Sequence, residues 1–365
     1  MIFNTILDAN PFRKAAWLVA VLITLGNGGA FAQAGLDARG QCWKKPAPET
    51  LEEIFKSSSS TRRQQAQTEQ LGAANTVLLV SNASLKAAYA AGLLVGWAET
   101  GDRPRFAAIT AVGTGALIAP FAFIGPDGDQ AIADIFNCDA RDIGQVAEHA
   151  ASFLDENVLA AIAREHDAGR RLFIALPGSA ARPETVWDIG LLAKSRAPGA
   201  LALARDVLRA AVVIRMPLTP DDRQKAVMQT VPPNLAFRDP GAGREFLLPR
   251  QLASVAGAGS RYFLIHNDRL FWDESEEYIR LRNARSTVAV PAAALMPGYD
   301  VVRQALAANG GFRYASPKTA SGLVPSGEFD LTYLRALFRH AYRQGRMGKA
   351  WTGEFPGLRQ GASSL

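Results

Sequence analysis

Short apolar runs alternate along the chain with longer segments whose apolar residues recur at helical spacing. Such runs, rich in Val, Ile, Leu and aromatic residues, are typical of buried strands. They predict strands at 76–80, 106–112, 171–176, 185–189, 261–266 and 312–316. The helical spacing predicts helices at 85–100, at 130–169 in two or three short pieces ending around 155–167, and at 199–213, 287–309 and 329–343. The succession predicts an α/β domain that begins with a right-handed βαβ unit.

Prolines and glycines interrupt this pattern between 215 and 260. They break any long helix or strand, so we expect this segment to be loop-rich and exposed. Contact with a protein partner through this surface is one of the functions left open.

The first 32 residues have the three parts of a secretory signal peptide. Arg13 and Lys14 precede the apolar run 15–25, and the small-residue sequence A-F-A occupies 30–32. The run is too short and wrongly flanked for a membrane anchor. We therefore expect an exported protein, periplasmic or secreted, that begins at Gln33 after cleavage.

The length of the chain and its net charge limit the number of domains and the kinds of partner that we expect. The chain has 365 residues, 48% of them hydrophobic, which is enough for one large core. We predict an arm or linker at 33–75, one domain at 76–350 and a tail at 351–365. The net charge of +6 is ordinary for solubility, and it also favours an anionic surface such as lipid headgroups. The sequence has no interleaved basic and aromatic motif, so no nucleic-acid partner is expected.

The cysteines and histidines indicate no metal site. Cys42 and Cys138 would both enter an oxidising compartment, where a disulfide between them is an open alternative. The four histidines lack the spacing that zinc ligands show. We expect neither a metal nor a cofactor.

The strand 106–112 runs directly into small residues and then an apolar helix. This strand–turn–helix is where α/β hydrolases carry the G-x-S-x-G nucleophile elbow. Here the five positions read Ala111-Val-Gly-Thr-Gly115, so the nucleophile position is Gly113. Glycine has no hydroxyl and cannot form an acyl-enzyme.

The residues around this elbow resemble a known family, the exported bacterial patatin-like phospholipases. Residues 111–125 read A-V-G-T-G-A-L-I-A-P-F-A-F-I-G and are similar to that branch's G-V-S-T-G-A-L-I-A-P-F-A-F-L-G. Further agreement within 76–350 lies at 87–97, 187–190, 205–208, 262–267 and 328–342. The resemblance implies a three-layer α/β/α fold with a mostly parallel central sheet, and a lipid acyl hydrolase with a Ser-Asp dyad.

The other catalytic parts that the resemblance implies are also altered. The family's S-G-G-G oxyanion loop falls on Ser81 followed by Asn82, Ala83 and Ser84. Asparagine tolerates positive φ better than most residues, so Asn82 is expected to keep part of the turn. The family's aspartate falls on Pro249, or elsewhere within 239–251, with Asp239 as the fallback.

Four other side chains could in principle replace the missing catalytic groups or could be structural. Thr114 is interpreted as a turn or capping residue rather than a nucleophile, Asp188 and Asp206 as structural carboxylates, and His266 as a packed histidine. The resemblance implies an acyl pocket at Leu117, Ile118 and Phe121, and a buried helix face is the alternative interpretation. The basic face of 329–343 is interpreted as solvated, with a membrane-facing helix as the alternative.

These observations lead to two functional hypotheses. The first is a catalytically impaired lipid acyl hydrolase homologue with a residual lipid- or protein-binding role. The second is a divergent active phospholipase or esterase that uses residues not identified from the sequence.

Overall fold

A seven-stranded sheet forms the centre of the protein. The computed structural model describes residues 75–82, 84–176, 185–212, 236–237, 246–254, 256, 259–267, 299–308, 311–317 and 329–355. The strands are β1 (Thr76–Val80), β2 (Ala108–Val112), β3 (Arg171–Leu176), β4 (Thr185–Asp188), β5 (Ala236–Phe237), β6 (Arg261–Ile265) and β7 (Phe312–Ala315). Their order across the sheet is β5-β4-β3-β2-β1-β6-β7.

Parallel pairing predominates in this sheet. Strands β3, β2, β1, β6 and β7 are parallel neighbours, whereas β4 pairs antiparallel with both β3 and β5. The parallel strands are buried over almost their whole length, as expected for strands covered on both faces. The predicted α/β class with a mostly parallel sheet is confirmed.

Nine helices connect or follow the strands within the described ranges. They are α1 (Ala88–Ala98), α2 (Ala119–Ile124), α3 (Asp129–Asn137), α4 (Ile143–Phe153), α5 (Glu156–Asp167), α6 (Ile189–Ser195), α7 (Ala200–Val212), α8 (Tyr299–Leu306) and α9 (Leu331–Arg346). Of these helices, none has both the length and the apolar character of a transmembrane span.

Helices contact both faces of the sheet. On one face, Leu264 of β6 belongs to a buried cluster that includes Val302 of α8 and several residues of 246–252. The next strand residue back, Phe263, points to the other face, since strand side chains alternate. There its ring centroid lies 5.1 Å from that of Trp97 in α1. The three-layer patatin-like architecture agrees with these contacts and stays a prediction.

Helices α1 and α9 pack against each other at very short distance. A Cβ added at Gly92 would overlap the backbone of Phe338, and one added at Gly96 would overlap the backbone of Tyr342. A Cβ at Gly345 would lie 2.8 Å from the Trp97 backbone nitrogen. The glycines therefore permit a backbone-to-backbone contact that fixes α9 on the βαβ unit.

Several element predictions differ from the structure. The strand predicted at 185–189 ends at Asp188, because the Asp188 carboxylate accepts a hydrogen bond from Leu191 N (2.8 Å) and begins α6, which was not predicted. The segment 215–260 also contains β5 and a 3₁₀ turn, Arg250–Ser254, and its residues Phe246 and Leu247 are buried rather than exposed. Of the helix predicted at 287–309, the part before 299 lies outside the described residues.

Cys138, at the end of α3, is buried and disulfide-bonded. Cys42, the other cysteine of the chain, lies outside the described residues, as do the predicted signal peptide and residues 33–74 of the predicted linker. At the other end of the chain, Phe355 is buried in the same cluster as β7, and Thr352 pairs with Tyr314.

Candidate functional site

The predicted elbow is present as a strand, a tight turn and a helix. Strand β2 ends at Val112, a 3₁₀ turn covers Gly113–Leu117, and α2 follows from Ala119. Gly113 has φ +54°, a left-handed conformation that side chains adopt reluctantly. The strand–turn–helix expected from the sequence is therefore present, with a positive φ at a residue that has no side chain.

The side chain of Asn82 occupies the space in front of this turn. A Cβ built on Gly113 would overlap the Oδ1 and Cγ atoms of Asn82 and lie 3.0 Å from its Cβ. The Thr114 N–H donates a long hydrogen bond to the same Oδ1 (3.5 Å). In an α/β-hydrolase elbow this N–H is one of the oxyanion donors. Asn82 thus lies where both the nucleophile and the substrate oxygen would be placed.

The positive φ expected at Asn82 is absent. Among the described residues, Arg196 is the only non-glycine residue with a positive φ. Asn82 therefore has an ordinary backbone conformation and differs from a glycine loop in both conformation and bulk. Ala83 lies outside the described residues, and Ser84 begins a 3₁₀ turn, Ser84–Ala87.

Asn267 anchors the loop that carries Asn82. Asn267 is fully buried at the end of β6, and its Nδ2 donates to the Ser81 carbonyl (2.9 Å). Its own N–H donates to Ser81 Oγ (2.9 Å), and its Oδ1 accepts from Ala90 N (3.0 Å) in the first turn of α1. Because β1 and β6 are parallel neighbours, Ser81 and Asn267 meet at the same sheet edge as Gly113.

The position predicted for the catalytic base carries no base. Pro249 is buried, and its carbonyl accepts from Leu252 N (2.9 Å) to open the 3₁₀ turn. The segment is held on β2, since Thr110 Oγ1 donates to the Leu247 carbonyl (2.7 Å). The segment therefore packs against the strand that leads to Gly113, and it carries proline rather than a carboxylate at position 249. Asp239 lies outside the described residues.

The remaining candidates in and near the elbow have structural surroundings. Thr114 is buried, and its Oγ1 has no hydrogen-bond partner within the described residues, so nothing there activates it as a nucleophile. Asp206 pairs with Arg209 (3.0 Å) on α7. The ring of His266 packs 5.9 Å from that of Phe246 and 6.4 Å from that of Tyr314.

Asp188 lies beside a second buried titratable group. Its Oδ1 is 3.8 Å from His166 Nδ1, and a Cβ on Gly190 would overlap that imidazole. Burial, followed by the charges of Arg171 and Lys194, lowers the pKa of His166 to about 4. Burial also raises the pKa of Asp188. A neutral imidazole packed on the start of α6 fits the structural role predicted for Asp188.

The side chains proposed to line an acyl pocket are inside the core. Leu117, Ile118 and Phe121 are fully buried, as are Ala111 and Gly115 of the elbow. A cavity of about 540 Å³ lies elsewhere, between α5, α6 and the start of α7, with Leu159 and Ala163 on its floor. The burial of the three side chains agrees with the alternative interpretation, a packed helix face.

No cluster of three or more His, Cys, Asp or Glu side chains suited to a metal occurs in the described part of the chain. At this sheet edge a peptide N–H and a carboxamide lie together, and within the described part of the chain neither Gly113 nor Pro249 offers a side chain that could act as nucleophile or base.

Comparison with known proteins adds no family assignment. No protein-family model matches the chain, and no curated protein matches it. The resemblance to patatin-like phospholipases therefore depends on the quoted motifs and stays a prediction.

Two residues of the site were not found from the sequence in their actual roles. Asn82 was expected as a loop residue, and Asn267 only as part of a matching segment. The sequence offered one signal for this contact: an asparagine follows the first strand, and a glycine follows the second. Whether the asparagine fills the space at the glycine depends on how close together β1 and β2 hold the two loops.

Proposed function

We propose that the chain is a patatin-like α/β protein that has lost acyl-hydrolase chemistry and keeps a lipid- or protein-binding role. The observation that carries the proposal is the contact between Asn82 and the Gly113 turn. Glycine removes the nucleophile, and the carboxamide fills the space that the nucleophile and the substrate oxygen would need. Two independent requirements of acyl transfer are therefore missing at one place.

The surrounding residues support the same proposal. Pro249 offers no proton acceptor on its side chain, and Thr114 Oγ1 has no base within hydrogen-bond distance among the described residues. A hydroxyl without a base is a weak nucleophile at neutral pH. The scaffold is nevertheless well packed, because the elbow residues and the strands around them are buried.

A covalent probe tests the proposal directly. Purified mature protein is incubated with a fluorescent fluorophosphonate, and separately with phospholipid and nitrophenyl ester substrates. We expect neither labelling nor turnover above the buffer rate. Labelling of any side chain, mapped by peptide mass spectrometry, would establish the alternative of a divergent active hydrolase and overturn the proposal. An unrelated active serine esterase serves as the positive control for the probe.

The remaining binding role is tested on protein recovered from its native host compartment. Lipid extraction followed by mass spectrometry would detect bound phospholipid or fatty acid at a fixed ratio to protein. We expect such co-purification if the lipid half of the proposal is correct. A lipid-free protein that instead recovers one stoichiometric protein partner would support the other half.

We further propose export with cleavage before Gln33. The basic and apolar parts of residues 1–32 support it. Intact-mass measurement of the protein from a cell-envelope fraction should give the mass of 33–365, and a full-length mass in the cytoplasm would contradict it.

A further inference from the structure

Helix α9 carries an unusual concentration of positive charge. Its sixteen residues include four arginines and no acidic residue. Three of them, Arg335, Arg339 and Arg343, follow one another at four-residue intervals, so they lie along one face of the helix. We call Arg335, Arg339, Arg343 and the following Met347 the basic stripe.

The stripe contains charge that the described protein does not neutralise. Arg335 pairs with Asp139 (2.7 Å), and Arg346, beside the stripe, pairs with Glu99 (3.2 Å). Arg339 and Arg343 are exposed, and neither has an ion pair among the described residues. Like charges four residues apart destabilise a helix, so folding alone does not account for this spacing.

The opposite face of α9 fixes the direction in which the stripe points. Leu334, Leu337, Phe338 and Ala341 are buried, and the glycine contacts hold α9 rigidly on α1. The stripe therefore faces outward on a firm support. At 1.5 Å per residue it extends over about 18 Å, which is a line of charge rather than a point.

The end of the stripe adds an apolar contact. Met347 is 36% exposed and is the only large hydrophobic side chain that the described residues leave exposed. Lys349, two residues further, is also exposed. An exposed methionine flanked by cations combines the two contacts that a lipid headgroup region offers.

We propose that the basic stripe docks the protein on the surface of an anionic lipid bilayer, with α9 lying parallel to the membrane plane. Charge complementarity selects anionic headgroups, and each arginine brought to such a surface contributes favourably. The stripe has no exposed aromatic side chain for stacking nucleic-acid bases, so a bilayer fits it better. This inference specifies the lipid alternative of the proposed function, but it does not depend on the elbow, since it concerns a helix surface.

Vesicle partitioning of the mature protein tests the inference. Large vesicles of phosphatidylcholine alone are compared with vesicles that also contain phosphatidylglycerol, at low ionic strength. We expect partitioning only to the second kind and a strong decrease in high salt. The variant Arg339→Gln/Arg343→Gln should partition roughly 30-fold more weakly, at about a tenfold factor per 1.4 kcal/mol and about 1 kcal/mol per arginine.

A matched pair of substitutions controls for net charge. Arg164→Gln/Arg196→Gln removes the same charge from exposed positions on α5 and after α6, and it should partition like the unmodified protein. Circular dichroism and thermal melting establish that both variants are folded. Equal losses in the two variants, or no binding of unmodified protein to phosphatidylglycerol vesicles, would overturn the proposal. So would duplex DNA binding that the stripe variant alone loses while vesicle binding is unchanged.

Discussion

The carboxamide of Asn82 fills the space where a side chain at Gly113 would begin. The two residues follow the neighbouring strands β1 and β2 at the same edge of the sheet. The relationship joins the loop after β1 to the turn after β2. A substitution at either position therefore affects the space available at the other.

The first prediction concerns Gly113→Ser. The serine must adopt φ near +54° and must displace the Asn82 side chain, so we expect a loss of about 1–3 kcal/mol in the free energy of unfolding. Urea denaturation measures the loss. No substantial esterase activity should appear, because Pro249, at the position expected for the base, offers no side-chain proton acceptor.

A double-mutant cycle with Asn82→Gly separates the overlap from the backbone strain. The double variant should recover the part due to overlap, with a coupling energy of about 0.5–3 kcal/mol between the two sites. Additive effects would show that the carboxamide does not fill the space as described. Rapid ester turnover by Gly113→Ser alone would contradict the absence of a base.

Replacing Asn267 should loosen the loop that carries Asn82. Asn267→Leu removes two buried hydrogen bonds and leaves the Ser81 carbonyl and the Ala90 N–H without these partners. We expect a loss of about 2–4 kcal/mol by urea denaturation. Asp142→Ala, which removes an exposed helix cap on Gln145 N (2.9 Å), should cost only about 1 kcal/mol. Equal losses would argue against a special role for Asn267.

The contact between α1 and α9 should not tolerate one added methyl group. In Gly96→Ala the new Cβ would lie 2.9 Å from Tyr342 Cα, a backbone atom that cannot rotate away. Thermal or chemical unfolding should show a loss of about 1–3 kcal/mol. Gly353→Ala is the control, because its Cβ would meet only the Arg313 side chain at 3.7 Å. A Gly96→Ala protein as stable as this control would show that the helices are less tightly packed.

His166 should make stability fall in mild acid. The pKa of its imidazole is about 4 in the folded protein, because of burial first and then Arg171 and Lys194, whereas an unfolded histidine has a pKa near 6.5. The unfolded state therefore binds the proton more readily. The contribution of His166 to stability is complete above about pH 6.5 and is lost as the pH falls through about 4.

Unfolding free energies measured across this range should have a steeper slope for the unmodified protein than for His166→Gln. Each pH unit between the two pKa values carries at most about 1.4 kcal/mol from this group. Parallel curves for the two proteins would show that the imidazole titrates normally in the folded state.

The elements that the sequence predicted well are those with strong local patterns. Strand β2 and the turn after it were predicted from an apolar run that ends in small residues. This local pattern agrees with the tertiary structure. Helix α6 was missed because the apolar character of 185–189 continues past Asp188. Aspartate is a common helix N-cap, so Asp188 did offer a signal for the start of α6. The apolar strand pattern around it points the other way, and only the folded chain shows the Asp188 carboxylate accepting from Leu191 N.

The sequence predicted which group the candidate site lacks, but it did not predict which side chain fills the space. The missing hydroxyl at Gly113 is a property of one residue and is visible in the sequence. The filling of its space by Asn82 depends on two loops brought together by parallel pairing of β1 and β2, and no local pattern encodes it. The burial of Leu117 likewise follows from packing on neighbouring helices.

The overlap between positions 82 and 113 also sets an order of events under the proposed descent from a serine hydrolase. An asparagine arriving first would have met the serine side chain at a cost in stability, so the order with glycine at 113 first is the less costly one. Once the asparagine was established, a single codon change back to serine no longer led to a working enzyme. Under that proposed descent, the contact between Asn82 and Gly113 would act against a return to activity, because neither position could be restored alone.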